Sequence, residues 1–169
     1  IMTIVKMVFM AVAMYAFINK INEKLVYPMK VTFAVLYAFC GYVLLYGSCF
    51  TPWMDIVALF PVVMLALYRV IKTGKKLFYI LMVGLIFIIN YYVSAMILVY
   101  IFLAVGIYML LRAERSQWKE HAWNVGIGTV TGLGLSACCL VPTMMQLSSS
   151  QRGNAGASLI KQYMGWLSS

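Results

Sequence analysis

One acidic residue stands at the start of a long apolar run, FTPWMDIVALFP, in a chain with only 4 Asp and Glu residues. Ionisable groups at membrane depth are candidates for substrate binding or catalysis, so Asp55 is a candidate for that chemistry. Helix capping is the alternative, because an acid near a helix N-terminus stabilises it by about 0.3 to 1 kcal/mol. The two explanations predict different partners for the carboxylate.

Other polar and aromatic residues fall at the same level of the chain as Asp55. Pro61 follows within the same apolar run and is predicted to kink the helix, because proline removes a backbone hydrogen bond. A kinked membrane helix needs a polar group to satisfy the freed carbonyl. The remaining residues at this level are Trp53, Asn90, Tyr91, Tyr92, Pro142 and Arg152. Depth alone groups these residues and does not place them in one pocket.

The elements that position these residues are membrane helices. The chain is 64% hydrophobic with a mean hydropathy of +0.94, well above a soluble domain. Several windows exceed the roughly 18 apolar residues typical of a membrane span. The sequence predicts an all-α, polytopic bundle in the bacterial cytoplasmic membrane.

Positive charge is concentrated in three short segments, at residues 20–30, 69–76 and 112–120, which hold 10 of the 13 Lys and Arg residues. Short loops rich in Lys and Arg stay in the cytoplasm, so all three are predicted to face inward. The net charge of +9 is then explained by topology, and no nucleic acid is predicted as a partner.

Six spans follow from this topology, near residues 3–19, 31–49, 54–71, 77–93, 95–111 and 125–147. The uncharged stretch 77–111 is too long for one span and predicts a hairpin that turns around Asn90 to Ser94. In the last span, Gly128, Gly132 and Ser136 recur every four residues, a spacing that allows a neighbouring helix to approach closely.

Both ends of the chain indicate a piece of a longer protein, because Ile1 lies inside an apolar run and Ser169 closes no element. Residues 1–157 are predicted as the membrane domain. Residues 158–169 are predicted either as an interfacial helix or as the start of an extracytoplasmic domain. No soluble-enzyme motif is present, and His121 is expected to be a solvated loop residue.

The ordered motifs resemble those of the YfhO family of bacterial membrane proteins. They are Trp53-Met54-Asp55, Leu59-Phe60-Pro61, the KTGKK loop, Asn90-Tyr91-Tyr92, Leu140-Val141-Pro142-Thr143 and Arg152, with a Tyr-rich tract at residues 36–42. The resemblance covers about residues 31–153. It implies a fold similar to the GT-C class of glycosyltransferases, which transfer sugars from polyprenyl-phosphate carriers outside the cytoplasmic membrane.

The implied reaction moves a sugar from a lipid-linked donor to a teichoic-acid-type wall polymer or a glycolipid. Implied partners are the donor, membrane lipid and an enzyme that makes the donor. GT-C enzymes carry their main acid in an early outer loop, which is expected to lie upstream of this chain, so Asp55 becomes a positioning group. Arg152 is then the cation for the carrier phosphate, and Trp53, Asn90, Tyr91 and Tyr92 are substrate-binding candidates. A divalent metal is left open by the resemblance and has no ligand set among these residues.

Two other functions remain open at this point. A transporter or lipid-linked-sugar flippase would use kinked, Gly-rich spans, but it needs polar groups at mid-membrane depth. Lys6, Thr129 and Thr131 are the few that the sequence offers. A non-catalytic scaffold would use the same polar residues only to cap and pack helices.

Overall fold

The computed structural model describes residues 2–46, 51–112 and 118–149, and the regular structure there is helical. The helices in chain order are α1 (Met2–Ile21), α2 (Tyr27–Ala38), α3 (Gly41–Tyr46), α4 (Thr51–Thr73), α5 (Leu77–Ile89), α6 (Tyr91–Arg112) and α7 (Trp118–Ser149). This architecture confirms the predicted all-α bundle. The tail at residues 158–169 and Arg152 lie outside the described residues.

Five helical segments in the described part are long and apolar enough to cross a membrane: α1, α2 with α3, α4, α6 and α7. The remaining predicted span, 77–93, corresponds to α5, which has 13 residues and a length of about 20 Å, against about 30 Å for the hydrocarbon core. Helix α5 ends at Ile89 because Asn90 has an extended backbone, and α6 begins at Tyr91, four residues before the predicted boundary. The hairpin turn is therefore tighter than expected.

All the basic segments that the structure describes lie at one end of the bundle, which we call the basic end. Here α1, α4 and α6 finish, while α5 and α7 begin. Gly74 ends α4 at this level with a positive φ of 69°, and its N–H donates to the carbonyl of Val70 at 2.9 Å. Glycine adopts this left-handed conformation without steric cost, so the KTGKK turn can reverse the chain. The opposite end is the Asp55 end.

The core lies where α4, α5, α6 and α7 meet, and it is lined mainly by aliphatic side chains. Its fully buried members include Ile56, Val63, Ala66, Tyr79, Val83, Ile101 and Val125. A second, smaller cluster joins α1 to α2, α3 and α4 through Met10, Ala38, Val43 and Met54. The chain therefore presents two packed units that share α4.

The predicted small-residue face of α7 is confirmed, and its neighbour is α5. A Cβ on Gly132 would lie 2.8 Å from the Cβ of Val83 and 3.0 Å from the carbonyl oxygen of Ile80. A Cβ on Gly128 would lie 2.8 Å from the ring of Tyr79. The glycines therefore let the two backbones pack closely, as in other membrane helix pairs.

Candidate functional site

Asp55 forms an ion pair with Lys6 that joins α4 to α1 at the Asp55 end. The Lys6 Nζ lies 2.6 Å from Asp55 Oδ1, and the side chains are 16% and 39% exposed, respectively. Helix α4 begins at Thr51, so its first turn holds no acid and Asp55 falls in the second turn. The carboxylate therefore has a charged partner on a neighbouring helix, which helix capping alone does not predict.

Both residues of the ion pair lie inside helices that are long and apolar enough to cross a membrane. Lys6 and Asp55 each precede a basic residue of their own helix, Lys20 and Arg69, by 14 positions or about 21 Å. If those basic residues mark one membrane boundary, the pair lies inside the far half of a core about 30 Å thick. Charged groups at this depth are costly, pair with one another and mark functional sites. Lys6, which the sequence left uncertain, is thus part of the site.

A second contact at this level joins α4 to α6 through two aromatic rings. The ring centroids of Trp53 and Tyr92 are 6.3 Å apart with an interplanar angle of 34°. Two of the predicted substrate-binding residues are thus brought together. Residues two apart on a helix point to different sides, so Trp53 and Asp55 present their groups on two sides of α4. The site has a charged half towards α1 and an aromatic half towards α6.

Asn90 caps α6 and so shapes the hairpin that carries Tyr92. Its Oδ1 accepts the backbone N–H groups of Tyr92 and Val93 at 3.1 and 3.3 Å. The buried Ser94 hydroxyl donates to the carbonyl of Ile86 at 2.7 Å across the same turn. The Asn90 contacts satisfy backbone N–H groups that the start of α6 would otherwise leave unpaired. The Ser94 hydroxyl is a second donor to a carbonyl that already accepts the N–H of Asn90. The side-chain oxygen of Asn90 therefore has a positioning role.

Tyr91 is directed to a different surface from its neighbour Tyr92. It lines an apolar groove of about 610 Å³ between the α5–α6 hairpin and the far half of α7. Phe87, Leu133, Leu140 and Met144 form much of the remaining wall. The groove opens beside the hairpin turn, so an apolar chain lying in it would reach the level of the aromatic pair.

Tyr37 is a positioning residue that the sequence reasoning did not identify. Pro61 lies inside α4 and has no N–H, so the carbonyl of Val57 loses its usual helical donor. The hydroxyl of Tyr37 in α2 donates to that carbonyl at 2.6 Å. Pro61 indicates that the carbonyl needs another donor, but the sequence does not indicate which of the 12 tyrosines supplies it. The contact ties the part of α4 that contains Pro61 to α2, close to Asp55 in the chain.

A metal does not fit the donors present. Across residues 2–46, 51–112 and 118–149, no three His, Cys, Asp or Glu side chains come close enough to hold an ion. Asp55 has a lysine beside it, and a cation at this position disfavours a second one.

The fold and the paired charges at membrane depth define a multi-pass helical membrane protein. A comparison with protein families matches residues 1–167 to the family described as "Bacterial membrane protein YfhO". The chain therefore belongs to the YfhO family, and the match is wider than the motifs between residues 31 and 153. Searches of the curated proteins and of the solved structures gave no match.

Proposed function

We propose that the protein is a membrane glycosyltransferase that takes sugar from a polyprenyl-phosphate-linked donor and transfers it to a wall polymer or glycolipid. The observation that carries the proposal is the Lys6–Asp55 ion pair, in which Asp55 stays 39% exposed at membrane depth. Partial exposure leaves the carboxylate within reach of a polar ligand.

The two halves of the site suit different parts of such a ligand. The aromatic rings of Trp53 and Tyr92 offer flat apolar surface for the C–H face of a sugar ring. Asp55 can accept a hydrogen bond from a sugar hydroxyl and so orient the acceptor or donor. Lys6 supplies a positive charge for the carrier phosphate, and Arg152 remains a proposed second cation for the same group. A helix is about 10 Å across, so an extended sugar phosphate can reach both halves.

The apolar groove beside Tyr91 suits the isoprenoid chain of the donor. Its volume of about 610 Å³ and its nearly continuous apolar wall match a hydrocarbon ligand and disfavour a polar one. The three basic segments are proposed to face the cytoplasm, which puts the Asp55 end at the outer surface. A donor presented in the outer leaflet would then have its phosphate near the charged half.

The described structure gives no specific support to the transporter alternative. A transport path through the bundle needs polar groups that a substrate can contact at mid-depth. In the part of the chain that the structure describes, every buried side-chain nitrogen and oxygen already has a hydrogen-bonding partner. Tyr79 and Thr129, for example, bond to each other at 3.0 Å. Substitution of Asp55 distinguishes the glycosyltransferase from a non-catalytic scaffold.

The test uses cells whose only copy of the full-length protein carries Asp55→Asn, with the sugar content of purified wall polymer as the readout. We expect a loss of at least tenfold with normal membrane insertion. Glu23→Gln is the matched control, since it removes the same charge from an exposed residue at the basic end. The double variant Lys6→Met, Asp55→Leu removes both charges together. If its wall polymer keeps the normal sugar content, the ion pair is a structural contact and the proposed site is wrong.

A further inference from the structure

A polar cavity at the basic end lies far from the site described above. It has a volume of about 420 Å³ and is bounded by the α4–α5 turn, α6 and the first turns of α7. Lys72, Tyr108, Glu120, His121 and Asn124 contribute its polar groups. His121 was expected in a solvated loop, but it is half-buried in α7 with its ring 6.1 Å from that of Tyr108. The cavity therefore gathers a cation, an acid, an imidazole, an amide and a phenol.

An apolar groove adjoins this cavity and shares part of its wall. The groove lies between α1, α4 and α6 and has a volume of about 140 Å³, with Phe17, Met64, Leu67 and Ala104 among its lining residues. Ile71, Lys72 and Tyr108 line both the groove and the polar cavity. A ligand with a polar head and an apolar chain could therefore occupy both spaces at once.

The charges around the cavity favour an anionic group. Arg69 and Lys72 lie near the end of α4, and Lys75 and Lys76 follow in the turn to α5. The guanidinium of Arg69 lies over the ring of Phe78 at 5.7 Å. Glu120 is the acid in the cavity wall, and the described residues show no ion pair between it and Lys72. The cavity can thus contact a phosphate through Lys72 and accept hydrogen bonds from a second polar group through Glu120.

We propose that this cavity and groove bind one phospholipid of the leaflet at the basic end. The phosphate contacts the ammonium group of Lys72, and hydroxyl or amine donors of the head group contact Glu120 and Asn124. The part of one acyl chain nearest the head group lies between Met64, Leu67 and Ala104. Basic pockets between membrane helices hold lipid head groups in this way, and the stem of a lysine packs along the chain while its charge meets the phosphate.

The choice of a lipid over a free phosphate compound rests on the shared wall. A soluble anion would use only the polar cavity, and it would leave the adjoining groove open to hydrocarbon. A phospholipid fills both the cavity and the groove, with its head group at the basic end and its acyl chain pointing into the bundle. Phosphatidylglycerol carries the needed hydroxyl donors, whereas the quaternary ammonium of phosphatidylcholine carries none.

The experiment measures lipid binding to the full-length protein purified in detergent, by native mass spectrometry during titration with phosphatidylglycerol or phosphatidylcholine. We expect one phosphatidylglycerol to bind, with at least tenfold preference over phosphatidylcholine. Lys72→Gln should weaken binding about tenfold, as loss of a hydrogen bond to a charged group does. Lys24→Gln is the matched control, because it removes a positive charge from an exposed residue of the same end. Lys72→Arg should keep most of the affinity.

A second arm tests the acyl chain. Ala104→Leu narrows the groove without changing any charge, and it should lower phosphatidylglycerol binding while the folded fraction stays normal. Glycerol 3-phosphate at millimolar concentration is the soluble competitor. Equal effects of Lys72→Gln and Lys24→Gln would overturn the head-group contact. Displacement of the lipid by millimolar glycerol 3-phosphate, or full binding to the Ala104→Leu variant, would overturn the lipid assignment.

Discussion

The α5–α7 pair and the α1–α4 pair are both parallel neighbours, but they are held by different forces. Helices α5 and α7 meet at Gly128 and Gly132, and the hydroxyl groups of Tyr79 and Thr129 form a hydrogen bond inside this contact. Helices α1 and α4 meet through Met10 and Met54 and through an ion pair that is not fully covered. The α5–α7 contact contains only closely packed protein groups, whereas the α1–α4 contact leaves the Asp55 carboxylate partly exposed.

This difference separates a stabilising interface from a candidate site. Lipid tails are as apolar as leucine, so membrane helices associate by close packing and not by hydrophobic burial. The glycine face of α7 supplies that packing with α5. The charges of Lys6 and Asp55 add little packing, and a buried ion pair is weak evidence for stability. The proposed function gives these two charges a role that helix packing alone does not.

The largest effect is expected from filling the α5–α7 contact. Gly132→Leu places a side chain against Val83 and the backbone of Ile80, where a single Cβ already comes within 3.0 Å. We expect the free energy of unfolding to fall by about 3 kcal/mol, the upper part of the range for overpacking. Unfolding of the full-length protein in mixed detergent micelles measures the change.

Gly134→Leu is the control for that substitution. Gly134 lies two positions along the same helix, it is exposed, and a Cβ there meets nothing within 4 Å. The free energy of unfolding of this control should equal or exceed that of the wild type, because leucine has a higher helix propensity than glycine. Equal losses in both variants would mean that the close approach of α5 and α7 contributes nothing specific.

A smaller effect is expected from breaking the ion pair on one side. Lys6→Met leaves the Asp55 carboxylate without its cation at membrane depth, which should lower the free energy of unfolding by about 2 kcal/mol. Partial exposure of Asp55 keeps the loss below that of a fully buried charge. The same unfolding measurement applies.

The double variant Lys6→Met, Asp55→Leu sharpens the comparison. Replacing both members of a buried pair by apolar residues is often neutral, so we expect stability to return towards wild type. Glycosylation should not return with it. A double variant as unstable as Lys6→Met alone would mean that the charges themselves hold α1 to α4.

The sequence predicted the packed region better than the charged one, for a physical reason. The spacing of Gly128, Gly132 and Ser136 is a local pattern, and helix geometry converts it directly into one face. The partner of Asp55 lies 49 positions away on another helix, so no local period points to Lys6. The early end of α5 also escaped prediction, since the apolar pattern runs on past Asn90 and only the cap reveals the break. Arg152 lies outside the described residues, and its role remains a prediction.

The hairpin cap gives the third prediction. Asn90→Ala removes the oxygen that accepts the N–H groups of Tyr92 and Val93, and should lower the free energy of unfolding by about 1 kcal/mol. Asn90→Asp keeps an acceptor at the same place and should retain the cap. Because the cap orients Tyr92 towards Trp53, the alanine variant should also show a shifted emission spectrum of Trp53, measured in a background where every other tryptophan is replaced by phenylalanine. An unchanged spectrum would show that the aromatic pair forms without the cap.

The smallest effect concerns the hydroxyl of Tyr37, and a double-mutant cycle isolates it. Tyr37→Phe removes the donor to the Val57 carbonyl and should cost about 0.6 kcal/mol, the average for a hydrogen bond between membrane helices. In a Pro61→Ala background the residue at position 61 regains an N–H, which can donate to Val57 within the helix. There, Tyr37→Phe should cost close to nothing. The same cost in both backgrounds would mean that Tyr37 does not compensate for the proline. A cost that disappears would show that Tyr37 supplies the donor that Pro61 removes from α4.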